Sequence, residues 1–145
     1  MLVALLALAG AFIALYLTLY KVGVVGALTC QIGSCERVNT SPWAMFMGLP
    51  VAAWGLGTYV VLFILAMAGI QGIAPRLTAW GLVLLSGWGV VFSAWLTYLE
   101  LFVIHAICMW CVISAVLMAL TFIASIASLR QELRQQELHP ELATE

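Results

Sequence analysis

The sequence predicts an all-α membrane protein: a four-helix transmembrane bundle whose outer loop, between spans one and two, carries a short helix. Two observations predict it. Of the 145 residues, 66% are hydrophobic and only 8% are charged, whereas soluble domains carry about 25% charged residues. The charges also leave uncharged blocks long enough to cross a bilayer, which takes about 20 apolar residues in a helix. Because lipid cannot satisfy the polar groups of open strands, the spans are predicted to be helices.

The positions of the charges place the four spans. The first block ends at Lys21, and Glu100 separates the third block from the fourth. We expect Glu100 to be solvated, because it falls in the joint at the outer end of spans three and four. The predicted spans cover approximately residues 2–20, 51–70, 78–98 and 102–127.

Residues 21–50 are predicted to form the outer loop. The sequence "TSPWAMFMGLP" offers Ser41 as an N-cap with Pro42 at the first helical position, which favours a short helix. Gly48 can end this helix, and Pro50 can open the second span. The chain is therefore divided into a membrane domain, residues 1–128, and a polar cytoplasmic tail, residues 129–145.

The first span could instead be a cleaved signal peptide, or "ALTC" (27–30) could be a lipoprotein cleavage site. Against these alternatives, the N-terminus has no basic region and its apolar run is longer than a signal core. Ala27 and Thr29 also fit a lipoprotein motif poorly. A retained first span is the favoured interpretation.

Counting the spans places all four cysteines at one membrane face. After one crossing, Cys30 and Cys35 lie opposite the N-terminus. After three crossings, span four starts on that same side, with Cys108 and Cys111 in its first two turns. Three arginines lie on the side of the termini, and two basic residues lie on the side of the cysteines. Because cytoplasmic loops carry an excess of basic residues, this count favours cytoplasmic termini. Since disulfides belong to oxidising compartments, we expect a multi-pass protein of the cell inner membrane with cysteines facing the periplasm or cell exterior.

The two cysteine pairs, spaced C-x₄-C and C-x₂-C, leave several interpretations open. They could be buried packing residues, a structural disulfide in the loop, a four-thiolate zinc site or redox pairs. Haem attachment is disfavoured because Val112, not histidine, follows Cys111. The net charge of −1 argues against a general affinity for nucleic acid. The two functional hypotheses are a thiol redox enzyme and a non-enzymatic membrane protein that binds or passes metal.

The chain resembles the bacterial vitamin K epoxide reductase homologues over roughly residues 1–128. Another four-span thiol oxidase of bacteria carries its C-x-x-C after span one, so the cysteine order here favours this family. The tyrosine that helps hold vitamin K in vertebrate members falls at Ala115, so the resemblance does not imply vitamin K epoxide as substrate. The motif residues are the loop pair Cys30 and Cys35, Ser41 six residues later, Gly48-Leu49-Pro50, and Cys108-Met109-Trp110-Cys111.

The resemblance implies a membrane thiol oxidase that generates disulfides in a thioredoxin-like partner and reduces a membrane quinone, with no metal. Many bacterial relatives carry a fused thioredoxin-like domain, so a chain of 145 residues implies a stand-alone form with a separate exported partner. All four cysteines would be catalytic, and the acceptor would be ubiquinone or menaquinone.

Position along the chain suggests the order of electron transfer. Cys30, on a flexible loop, suits the partner. Cys111 would lie about 4.5 Å deeper along the helix than Cys108, which suits a quinone dissolved in lipid. Cys35 and Cys108 then form the middle link. The candidates for supporting or walling the quinone head group are Ser41, Trp43, Phe46 and Trp110, although the serine could be only a helix cap and the aromatics only interface anchors.

Overall fold

Helices dominate the computed structural model, which describes residues 1–28, 30 and 33–138. Among these residues, four helices are long and apolar enough to cross a membrane, which confirms the predicted all-α membrane bundle. The helices in chain order are α1 (Leu2–Lys21), the short α2 (Cys35–Thr40), α3 (Val51–Ile70), α4 (Pro75–Leu99) and α5 (Met109–Leu138).

The four long helices pack as a ring. Both α1 and α4 pack against α3 and α5. Gly10 of α1 lies against the ring of Tyr59 on α3, and Gly89 of α4 lies against Met118 on α5, so that a Cβ atom at either glycine would collide with its neighbour. Close packing of this kind stabilises helix bundles in lipid, where the hydrophobic effect between helices is lost.

Spans one and two begin and end close to the predicted positions, but the boundary between spans three and four differs. After α4 the chain continues in a π-helical turn, Glu100–Ile104. His105 then adopts a left-handed backbone conformation with φ of 52°, and α5 begins only at Met109. The predicted start of span four at residue 102 is therefore wrong, and Cys108 precedes the helix. The stretch is apolar on both sides of the break, so its composition does not mark it.

The outer loop contains more regular structure than predicted. It carries α2, which begins at Cys35, and then a single 3₁₀ turn at Pro42–Ala44. A two-stranded antiparallel hairpin follows, with β1 (Met45–Phe46) paired to β2 (Leu49–Pro50). The loop is therefore a folded cap over one end of the bundle.

Two residues of the predicted short helix have different roles in the structure. Ser41 occupies the N-cap position of the 3₁₀ turn and Pro42 its first position, as predicted, but the Ser41 side chain makes no capping hydrogen bond there. Its hydroxyl donates to the carbonyl oxygen of Val38 at 2.7 Å and so closes the end of α2. Gly48 does not end the helix but forms the hairpin turn with Met47, and both residues have positive φ, 80° and 52°. Two-residue hairpin turns favour this geometry because it matches the twist of the strands.

The helix α5 continues through the predicted end of the membrane domain at residue 128 and extends to Leu138. The first part of the predicted polar tail is therefore helical. The rest of the tail lies outside the described residues.

Candidate active site

The loop cysteines form a disulfide. Cys30 and Cys35 are joined, with their Cα atoms 6.2 Å apart. Cys35 is the first residue of α2 and is buried, whereas Cys30 is half-buried. A polar groove that includes Leu28, Ser34 and Arg37 runs over the pair. Of the two sulfur-bearing residues, Cys30 is the more accessible from outside.

The second pair is reduced and lies at the start of α5. Cys108 is fully buried, and Cys111 is half-buried, with both thiols free. The two thiols are hydrogen-bonded to each other. The structure thus combines an oxidised loop pair with a reduced inner pair.

A backbone contact fixes the loop to the start of α5. Gly33 pairs with Cys108 in an isolated antiparallel bridge, and the amide of Ser34 donates to the carbonyl of Ile107 at 2.9 Å. Gly33 has φ of +92°, and a Cβ atom there would collide with the Ile107 carbonyl. Glycine is therefore required by both conformation and space.

This contact brings the two pairs together. Cys35 and Cys108 are buried in one cluster with Val38 and Ala106, and both Cys30 and Cys111 pack against that cluster. The cysteines that span counting predicted at one membrane face are thus neighbours in the structure.

Asn39 is a site residue that the sequence reasoning missed. It is buried, and its side-chain amide donates to the carbonyl oxygen of Cys35 at 3.0 Å and lies 4.0 Å from the sulfur of Cys108. Lys21, at the end of α1, donates to the carbonyl oxygen of Asn39 at 2.6 Å. Asn39 stands four residues after Cys35, so recognising α2 would have placed both residues on one helix face.

Glu100 was expected to be solvated, and this expectation is wrong. The side chain is only 5% exposed. One carboxylate oxygen, Oε2, accepts from the backbone N–H of Cys108 at 3.2 Å, and the carboxylate is hydrogen-bonded to the thiol of Cys111. The available signal was an ionisable residue inside a long apolar sequence, which in membrane proteins usually faces the interior and has a function.

The environment of Cys108 favours its thiolate. This residue lies between the π-helical turn and the first residue of α5, outside the spanning segments. The hydrogen bond from Cys111 lowers the pKa of the Cys108 thiol below its ordinary value, and burial only partly opposes this effect. The N-terminus of α5 acts in the same direction, because its unpaired N–H groups favour a nearby anion.

A cavity of about 400 Å³ lies beside Cys111, bounded by all four long helices and the outer loop. Its volume falls in the usual range for small-molecule pockets, roughly 300–1,000 Å³. The walls are largely apolar and aromatic. Of the sequence-predicted residues, Cys111, Ser41, Trp43 and Phe46 line the cavity.

Trp110, the remaining aromatic candidate, points elsewhere. Neither it nor Cys108 is among the described residues that line the cavity. The indole of Trp110 packs edge-on against Tyr16 of α1, with ring centroids 5.5 Å apart. Its observed contact anchors the start of α5 to α1.

The cysteine geometry and the sequence motifs point to one family. The chain matches the vitamin K epoxide reductase family over residues 1–126. It is a member of that family. Membership confirms the resemblance stated from the motifs and supports a membrane oxidoreductase that generates disulfides.

The metal-binding alternative gains no support in this vitamin K epoxide reductase family protein. Within residues 1–28, 30 and 33–138, no group of three or more His, Cys, Asp or Glu side chains is arranged to hold a metal ion. Two of the four thiols that such a site needs are also joined in the Cys30–Cys35 disulfide.

Proposed function

We propose that this protein oxidises the thiols of a separate, exported thioredoxin-like protein and passes the electrons through its two cysteine pairs to a membrane quinone. One observation carries the proposal: an oxidised outer pair packs on a reduced inner pair, and the inner pair borders an apolar cavity through Cys111. The quinone, ubiquinone or menaquinone, is a second substrate.

The partner's thiolate attacks Cys30 in this scheme. Cys30 is the more exposed member of its disulfide and borders the polar groove, while Cys35 is buried. Attack on Cys30 releases Cys35 as the leaving thiolate, directed inward. The partner's second thiol then resolves the mixed disulfide, which leaves the partner oxidised and the loop pair reduced.

The middle step is exchange between Cys35 and Cys108. When the inner pair is oxidised, the Cys35 thiolate attacks the sulfur of Cys108 and releases Cys111 as thiolate. Cys30 then attacks Cys35, restores the loop disulfide and frees Cys108. The result is the redox state seen in the structure, an oxidised loop pair and a reduced inner pair. The burial of Cys35 and Cys108 in one cluster supports this step.

The inner pair then reduces the quinone. The cavity is large enough for a quinone head group, its walls are largely apolar, and it is bordered by Cys111 rather than Cys108. Ser41 can offer its hydroxyl to a quinone oxygen by giving up its hydrogen bond to the Val38 carbonyl, while Trp43 and Phe46 can contact the ring. Over the whole cycle two thiols of the partner become a disulfide, and the quinone takes up two electrons and two protons.

The absence of a tyrosine at Ala115 supports a quinone rather than vitamin K epoxide as the substrate. Ala115 lines the cavity and has no hydroxyl to offer an epoxide oxygen. The proposed setting is the cell inner membrane, with the cysteines facing the periplasm or cell exterior and the termini in the cytoplasm.

The decisive experiment reconstitutes the purified protein in lipid vesicles with a short-chain ubiquinone or menaquinone. A reduced thioredoxin-like protein is added, and quinol formation is followed by absorbance. We expect one quinol per partner disulfide, and no quinol with Cys30→Ala or Cys111→Ala. The proposal is refuted if quinol still forms in either cysteine variant. It is also refuted if the unaltered protein forms no quinol with either quinone.

A further inference from the structure

Glu100 is a buried carboxylate beside the inner cysteine pair. It is 5% exposed, lines the same cavity as Cys111 and is the first residue of the π-helical turn after α4. Burying a carboxylate among apolar residues is costly unless it has partners or a function.

Two donors are directed at this carboxylate. The backbone N–H of Cys108 donates to Oε2 at 3.2 Å, and the thiol of Cys111 is the second partner. The backbone is fixed as well, since the amide of Ala106 donates to the carbonyl oxygen of Glu100 at 3.0 Å and closes the turn. Glu100 is therefore held against the thiol that borders the cavity.

Building on the proposed quinone reduction, we propose that Glu100 is the proton acceptor of Cys111 in that step. The carboxylate takes the thiol proton as the Cys111 sulfur becomes nucleophilic, and then delivers it to an acceptor oxygen in the cavity. Cys108 closes the disulfide as the thiolate that its environment favours, and the second proton reaches the other oxygen from water at the outer face through the same carboxylate. One S–H bond breaks, one S–S bond forms, and two O–H bonds form on the quinone, which gains two electrons and takes one proton from Cys111 and one from water.

If Glu100 were only a cap for the start of α5, it would still accept from the N–H of Cys108 but would move no proton. Glu100→Gln separates the two roles, because the amide oxygen can still accept from the N–H of Cys108 but the side chain cannot take up a proton. Glu100→Ala removes both capacities. Glu132→Gln, on the distal part of α5, is the matched control for loss of a carboxylate.

The experiment is a single turnover of fully reduced protein mixed with a short-chain ubiquinone. Quinol absorbance and Cys108–Cys111 disulfide formation are followed together. We expect Glu100→Gln to slow both by at least about 100-fold, the usual contribution of a positioned acid or base. Thermal unfolding of Glu100→Gln should resemble that of the unaltered protein. Glu132→Gln should reduce quinone at the normal rate.

Two further measurements complete the test: one needs no variant of Glu100, and the other needs no quinone. In the unaltered protein, infrared difference spectra should contain a protonated-carboxyl band that rises and decays with quinone reduction. In the absence of quinone, a small neutral alkylating reagent should modify Cys111 more slowly in Glu100→Gln than in Glu132→Gln.

The outcomes separate this inference from the proposed function. Normal quinone reduction by folded Glu100→Gln would overturn the role of Glu100 and leave the proposed function intact. If Glu100→Gln does not fold, the infrared band in the unaltered protein decides, and its absence overturns the inference. If the unaltered protein reduces no quinone, the proposed function fails, and equal alkylation rates in the two Gln variants then overturn the role of Glu100 as well.

Discussion

Gly33 in the outer loop and Cys108 before α5 pair backbone to backbone as an antiparallel bridge. This bridge holds the loop that carries one redox pair against the segment that carries the other. The packing of Cys35 beside Cys108 therefore depends on main-chain geometry. A side chain at residue 33 should disturb this packing.

Gly33→Ala should slow exchange between the two pairs. A residue with a Cβ atom costs about 1–2 kcal/mol in the left-handed region, and the added methyl collides with the carbonyl of Ile107. The loop must therefore move away from Cys108. Gly26→Ala is the matched control, because a Cβ atom at Gly26 meets no neighbour within 4 Å. Acid-quench trapping after addition of reduced partner measures the exchange, and equal rates in the two variants would contradict the prediction.

Cys111→Ala should accumulate a disulfide between Cys35 and Cys108. Without Cys111 the bond forms when the Cys108 thiolate attacks Cys35 in the loop disulfide and releases Cys30 as thiolate. Its remaining escape is the return attack by Cys30. Cα separations in disulfides are usually about 4.4–6.8 Å, which the close packing of the two residues makes attainable. Non-reducing peptide mapping should recover residues 35 and 108 cross-linked. Recovery of only the Cys30–Cys35 bond, with Cys108 free, would mean that the pairs do not communicate by this route.

Asn39→Leu should slow attack by Cys35 on Cys108. Leucine has a similar volume but cannot donate to the carbonyl of Cys35 or approach the sulfur of Cys108 as a donor, so the orientation of the two sulfurs is less fixed. A roughly 10-fold loss is the size expected for one hydrogen bond of about 1.4 kcal/mol. The exposed neighbour Thr40, changed to Val, serves as control. The readout is the rate of inner-pair reduction after addition of reduced partner, and a rate in Asn39→Leu equal to that in Thr40→Val argues against the role of Asn39.

Tyr59→Phe should lower the thermal stability of the protein and leave the redox state of the four cysteines unchanged. The Tyr59 hydroxyl reaches across the bundle to the carbonyl and hydroxyl oxygens of Ser114, at 2.8 and 3.1 Å. Losing one buried hydrogen bond costs about 1 kcal/mol. Thermal unfolding in detergent measures the change, with the exposed Tyr98→Phe as control. Identical unfolding of the two variants would show that the contact with Ser114 contributes nothing.

An impermeant thiol reagent should label Cys30 in intact cells after reduction. The prediction follows from the proposed orientation, because the outer loop then faces the cell exterior or periplasm. The control is Gln71→Cys, in the exposed turn between α3 and α4, with the four native cysteines replaced by alanine. That residue should be labelled only after lysis. The reverse pattern would invert the proposed topology.

The sequence predicts the bundle well because both of its signals are carried by composition. Uncharged blocks define the four spans, and their number alone brings Cys30 and Cys35 to the same end as Cys108 and Cys111. These inferences need no knowledge of side-chain geometry.

The features that were not predicted all depend on the local backbone conformation. His105 takes a left-handed conformation in a segment that is apolar on both sides, so the break before Cys108 has no marker in composition. The buried state of Glu100 follows from this break, because the returning chain offers it the amide of Cys108. Asn39 could not be assigned without α2, and Met47 adopts a positive φ that its residue type does not favour.

The contact between Tyr59 and Ser114 joins α3 to α5 in the wall of the cavity, and it has a bioenergetic consequence. Under the proposed function, the thiols release their protons and the acceptor takes up its own at the same end of the bundle. No charge then needs to cross the layer of buried side chains that includes Tyr59 and Leu62. Turnover would be electrically silent, neither drawing on the membrane potential nor adding to it, so that disulfide formation proceeds at the same driving force in energised and de-energised cells.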